Sequence, residues 1–159
     1  MTLSLTTSTR RLTTGALALA LLAAPLSTAT PAASAANNYG AGAARSADAQ
    51  YVKTIFEDSN KERIRHGRKP LAWSSQLASD SLTWSQYLAR TGKFEHTPKN
   101  VRENLYKCGG CTTPTGAVQG WMTSPGHRHN LLNTKSTSMG IGIAKNAKGE
   151  WVVTQRFNA

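Results

Sequence analysis

The sequence predicts an α+β domain with helices packed on a small sheet. Three observations predict it: helical periodicity from Asp48 to Thr91, a polar loop-rich stretch after it, and strict alternation near the C-terminus.

The chain opens with Arg10-Arg11, an apolar run from Ala16 to Leu26 and a small-residue site at Ala33-Ser34-Ala35. That order reads as a secretory signal peptide over residues 1–35, too short in its apolar part to span a bilayer. Thr13 stands where a large apolar residue would favour twin-arginine export, so the general secretory route is preferred. The expected localisation is secreted and extracellular. Residues 36–47, small and glycine-containing, read as a flexible lead-in. The domain is expected over 48–159, a length that buries a core without a disulfide framework, and the expected state is a monomer.

Val52, Ile55, Phe56 and Ile64 fall near helical spacing, and Gly67 before Pro70 supplies a stop. Asn60 and Arg63 are expected on the solvated face of this helix. A second helix is expected over Ser75–Thr91, with Leu77, Ala78, Trp84, Leu88 and Ala89 on one face, Trp84 in the core and Gly92 ending it. Lys93 to Thr115 reads as loop with a short strand near Leu105. Pro114 to Met122 reads as a short helix interrupted at Ser124-Pro125-Gly126. Met139, Ile141 and Ile143, then Trp151, Val153, Gln155 and Phe157, alternate about the turn "NAKG", which predicts a terminal β-hairpin.

The chain has 19 Lys and Arg against 8 Asp and Glu, a formal charge of +11. Such an excess favours anionic surfaces. The basic residues are scattered without interleaved aromatics, so no dedicated nucleic-acid site is expected. No later segment is long and apolar enough for a transmembrane helix. The two cysteines, Cys108 and Cys111 in "CGGC", lack the second pair of a zinc ribbon and the strand–helix context of a thiol-exchange catalyst. In an exported chain they are expected to form a local disulfide worth at most about 2 kcal/mol.

Seven segments in order carry a resemblance. They are "NKER" at Asn60–Arg63, "PLAW" at Pro70–Trp73, "FEH" at Phe94–His96, "REN" at Arg102–Asn104, "GWMTSPGHRHNLL" at Gly120–Leu132, "GIGIA" at Gly140–Ala144 and "VVTQRF" at Val152–Phe157. Together they resemble the CAP superfamily of cysteine-rich secretory proteins, venom antigens and plant pathogenesis-related proteins, in its compact bacterial form. The resemblance implies an α-β-α sandwich, with a small antiparallel sheet between helical layers, and an open cleft. Family members commonly line that cleft with two histidines and two acids, in some cases around a divalent metal. By motif, His96 and His127 match the histidines and Glu103 one acid. Ser124 stands where the second acid is usual, and Arg102 stands where a glycine usually precedes Glu103.

The resemblance therefore implies a binding cleft of His96, Glu103, Asn104, Ser124 and His127. No cofactor is required; a divalent metal such as zinc would fall to His96 and His127. Read from the residues alone, His96 could bond a loop carbonyl, His127 could hold the turn after Pro125, and Glu103 could accept backbone N–H groups. His129 shares the direction of His127 only if that segment is extended. His66 is expected at the surface. No Gly-x-Ser-x-Gly elbow or third triad member accompanies Ser124. The resulting expectation is a non-catalytic, extracellular module that binds a lipid, sterol or cell-envelope ligand. The alternative is a metal-dependent hydrolase, for instance a peptidase, using His96, His127 and Glu103.

Overall fold

In the computed structural model, residues 46–158 are described. The leader and most of the lead-in lie outside them. Helix α1 (Ser46–Arg65) is followed by β1 (Ala72–Trp73), α2 (Ser75–Thr91), β2 (Arg102–Cys108), α3 (Ala117–Thr123), α4 (Pro125–Leu131), β3 (Ser138–Lys145) and β4 (Trp151–Phe157). A 3-10 turn at Pro114–Gly116 leads into α3.

The strand order is β1-β3-β4-β2. β4 lies between two antiparallel neighbours, and all seven of its residues are buried. The sheet is not wholly antiparallel as expected. β1 runs parallel to β3 through two residue pairs, Ala72 with Ser138 and Trp73 with Met139. A segment that short has no alternation to reveal it.

The two sheet faces are packed differently. Toward α1, α3 and α4, Met139, Ile141, Val153 and Phe157 join Ile55, Trp121 and Leu131 in the main apolar core. Toward α2 the alternating positions of β3 are Gly140 and Gly142. A Cβ on either would lie 2.1 Å from backbone nitrogen of α2, at Ala78 and Leu82 respectively. The helix thus rests on bare strand backbone. Ser81 and Ser85 fit there without bulk, donating to Gly140 O at 3.2 Å and Gly142 O at 2.9 Å. The result is the layered α-β-α arrangement.

Helix α2 has the expected bounds: the Ser74 hydroxyl accepts from Leu77 N, and Gly92 adopts the left-handed conformation, φ 73°. Several expectations around α1, α2 and α4 differ from the structure. Arg63 is not on a solvated face; it is 2% exposed and donates to the carbonyls of Lys69, Leu131 and Asn133. Asn60 likewise bonds both backbone groups of Leu71, while Ile64 is 60% exposed. Trp84 is only half-buried, stacked on Tyr87 beside a small cluster of Leu88, Leu105 and Val152. Pro125 does not end helical structure but starts α4, because a proline at the first helical position forfeits no intrahelical bond. Cys108, the last residue of β2, is disulfide-bonded to Cys111 in the loop that follows.

The α2–β3 approach makes a direct prediction. Gly142→Ala forces the helix away from the sheet and lowers stability by upwards of about 2 kcal/mol, read from urea unfolding. Gly126→Ala, where a Cβ meets nothing within 4 Å, stays within about 0.5 kcal/mol of the parent.

Candidate functional site

Three chain segments converge on one open pocket of about 480 Å³. The loop after α2 supplies His96 and Thr97, the start of β2 supplies Arg102 and Glu103, and the α3–α4 junction supplies Ser124 and His127. The antiparallel register pairs Glu103 with Arg156 across β2 and β4, on the face turned toward α2. A buried arginine there needs an acid.

Glu103 meets that need completely. Its Oε2 accepts from Arg156 Nε at 2.9 Å and lies 2.9 Å from Arg156 Nη2 as an ion pair. Its Oε1 accepts from His96 Nδ1 at 2.9 Å and from Thr97 N at 3.2 Å. Arg156 Nη1 continues to the carbonyl of Asp80 on α2 at 3.1 Å. The Glu103 side chain is 2% exposed, whereas His96 above it is 59% exposed. A carboxylate beside Arg156 is an acceptor only, so the Nδ1 of His96 is the donor in this bond and Nε2 is the ring nitrogen left facing the pocket.

His127 presents the second imidazole, its ring centroid 6.4 Å from that of His96. Burial, and secondarily the neighbouring His96, holds its pKa below the ordinary 6.5. Gly126, His129 and Asn130 recur at i, i+3 and i+4 along the wall that α4 forms. That spacing brings His129 to the pocket although the segment is helical, contrary to the expectation that a helix would turn it away.

Asn104 does not line the pocket as expected. It is fully buried, and its Nδ2 donates to His127 O and Gln155 Oε1, both at 3.2 Å. Its Oδ1 accepts from Asn130 Nδ2, which also donates to Glu103 O. Gln155 in turn donates to Ser59 on α1 at 2.9 Å. This amide chain sets where α4, and hence His127, sits against β2. Arg102 is held at the pocket wall, with Nη1 donating to Ser136 Oγ at 2.8 Å and Asn158 O at 3.1 Å. Arg156 is the site residue that sequence reasoning missed. Its signal was a charged residue inside an alternating run whose neighbours Gln155 and Phe157 pointed to the core.

The donor set does not fit a zinc centre. His96 and His127 offer two imidazoles, Ser124 offers a hydroxyl where a carboxylate would be needed, and Glu103 is already spent on Arg156 and His96. Among the described residues no group of three His, Cys, Asp or Glu side chains is placed to hold a metal ion. Catalytic zinc takes three protein ligands.

Two outcomes follow from these contacts. Glu103→Ala strands a buried guanidinium and lowers unfolding free energy by about 3–5 kcal/mol in chemical denaturation. Because the folded pKa of His127 is depressed, the unfolded chain takes up that proton more readily. Its contribution to stability is therefore full above pH 6.5 and declines as pH falls through and below that value. Denaturant midpoints measured against pH show a shallower acid decline in His127→Gln than in the parent.

The family model "Cysteine-rich secretory protein family", CAP, matches residues 56–157. The curated protein YkwD of Bacillus subtilis, described as uncharacterized, is 31% identical over 124 residues, covering 67% of this chain and 46% of that protein. The uncharacterized membrane protein YlbC of the same organism is 27% identical over 106 residues, covering 57% and 31%. The chain thus spans less than half the length of either relative. An outer surface protein from Borrelia burgdorferi shares the fold with TM-score 0.60 at 18% identity, over 68% of this chain and 91% of that one. An extracellular SCP-domain protein from Bacillus anthracis does so with TM-score 0.58 at 24% identity, over 70% and 41%. No helix among the described residues is long and apolar enough to cross a membrane. A family match across the layered core and the His96–Glu103–His127 pocket has one meaning: the chain belongs to the CAP family of cysteine-rich secretory proteins.

Proposed function

We propose that this protein works outside the cytoplasm as a non-catalytic module that holds a polar cell-envelope ligand in the pocket between His96 and His127. The observation that carries this reading is the commitment of Glu103. A carboxylate acting as a general base must reach a reacting water with a free lone pair. Glu103 is buried beneath His96, accepts three hydrogen bonds from Arg156, His96 and Thr97, and is ion-paired with Arg156 Nη2. Ser124 makes no bond to an imidazole among the described residues, so no activated nucleophile stands in its place. What remains is a wall of donors and acceptors. Val101 is the one apolar side chain among the described lining residues, which favours a polar envelope polymer or lipid headgroup over a sterol body.

The test is calorimetric titration of the purified protein with lipid vesicles, sterol, and soluble cell-wall fragments. Saturable binding that survives chelator and weakens about tenfold or more in a His96→Ala, His127→Ala double variant is expected. Turnover of an ester or peptide substrate that disappears with chelator would establish metal-dependent hydrolysis instead.

A further inference from the structure

The pocket's charge balance runs opposite to that of a cation site. The carboxylate at its wall, Glu103, is matched by Arg156 within the buried layer beneath. Among the described lining residues, that leaves Arg102 as the group with an uncompensated formal charge. Its guanidinium is not free to swing, because Nη1 is tied to Ser136 and Asn158, and Asn158 is itself fixed by accepting from the backbone N–H groups of Thr137 and Ser138. The Nε–Nη2 edge has no protein partner among the described residues. Such an edge offers two parallel N–H groups to one anion.

Around this cation stand further donors. The Ser124 hydroxyl caps nothing, and the His127 and His129 rings each offer an N–H in either protonation state. His96 is different, since its Nδ1 is engaged by Glu103 and only Nε2 is available to a ligand; in the neutral ring that nitrogen accepts. Arg102 brings a positive charge and Ser124 a neutral hydroxyl to the same hollow. The charge of +11 on the whole chain draws anions toward it.

We propose that the pocket binds a phosphoryl oxyanion carried on a hydroxylated ester, such as a glycerol phosphate unit. Arg102 grips the phosphoryl oxygens on its Nε–Nη2 edge, Ser124 and His127 donate to the remaining oxygen, and His96 Nε2 accepts from a ligand hydroxyl. This rests on the ligand-binding reading above and names its ligand class; the phosphoryl group can belong to a soluble polymer or to a lipid headgroup.

The test follows the ring C–H signals of His96, His127 and His129 by NMR during titration of the full chain with sn-glycerol 1-phosphate, glycerol, and vesicles of phosphatidylcholine with or without phosphatidylglycerol. Saturable shifts with glycerol phosphate and none with glycerol are expected. Affinity falls about tenfold or more in Arg102→Gln and in Ser124→Glu, but not in Lys148→Gln, which removes an equal charge from the distant β3–β4 turn. Should Arg102→Gln fail to fold, Ser124→Glu, at a half-exposed position, carries the test. Tighter response to phosphatidylglycerol vesicles than to the soluble ester assigns the lipid source, and the reverse assigns the polymer; either supports the proposal. Equal weakening in Lys148→Gln means diffuse attraction and overturns it. Shifts produced by an uncharged wall fragment but not by glycerol phosphate overturn the oxyanion assignment while leaving the pocket reading intact. Silence of all three histidines toward every ligand overturns both.

Discussion

The buried pair of Glu103 and Arg156 is the constraint on which the rest of the pocket depends. Burying two charges gains little net stability, since desolvation offsets most of the attraction. What the pair fixes is position. It links β2 to β4 in one register, reaches α2 through the Asp80 carbonyl, and uses the outward carboxylate oxygen to hold His96 and the Thr97 amide. A one-residue slip of β2 would turn Glu103 toward the apolar core and free the loop that carries His96. The acid is thus a strut beneath the pocket, and it leaves the wall above it to imidazole, hydroxyl and guanidinium groups.

That strut works only because α2 lies unusually near the sheet. Glycines at 140 and 142 let the helix backbone settle on β3, with Ser81 and Ser85 filling the gap by hydrogen bonding. The same closeness brings the Asp80 carbonyl within reach of Arg156. On the other face a conventional apolar core holds α1, α3 and α4. Polar side chains cross it at chosen points: Arg63 ties α1 to the end of α4, and the Ser59–Gln155–Asn104–Asn130 chain ties α1 through the sheet to α4. Each of these crossing groups has its hydrogen-bond partner, as burial demands.

Much of this was legible in order along the chain. The Ser75–Thr91 helix announced itself by periodicity and by Gly92, the terminal hairpin by alternation about Asn146–Gly149, and the disulfide by an isolated "CGGC" in a chain read as exported. Arg63 and Asn60 misled because a helical wheel scores polarity, and a polar residue that finds carbonyls inside looks the same in sequence as one that faces water. Asn104 misled for the same reason: lying next to Glu103 in the chain suggested the pocket, but alternation along β2 sends the two side chains to opposite faces. β1 was missed because two residues carry no period, and α4 because its proline reads equally as a stop or a start.

Sequence by itself determined the longer local elements, the basic charge, and the family, since each is a property of spacing and composition along one dimension. It also placed His96, Glu103 and His127 among the residues worth following. Which of them faces the open pocket was decided only by tertiary structure. The fate of an ionisable side chain depends on what lies across the sheet, and Arg156, more than fifty residues away in the chain, takes up the charge that Glu103 would otherwise have offered to the pocket.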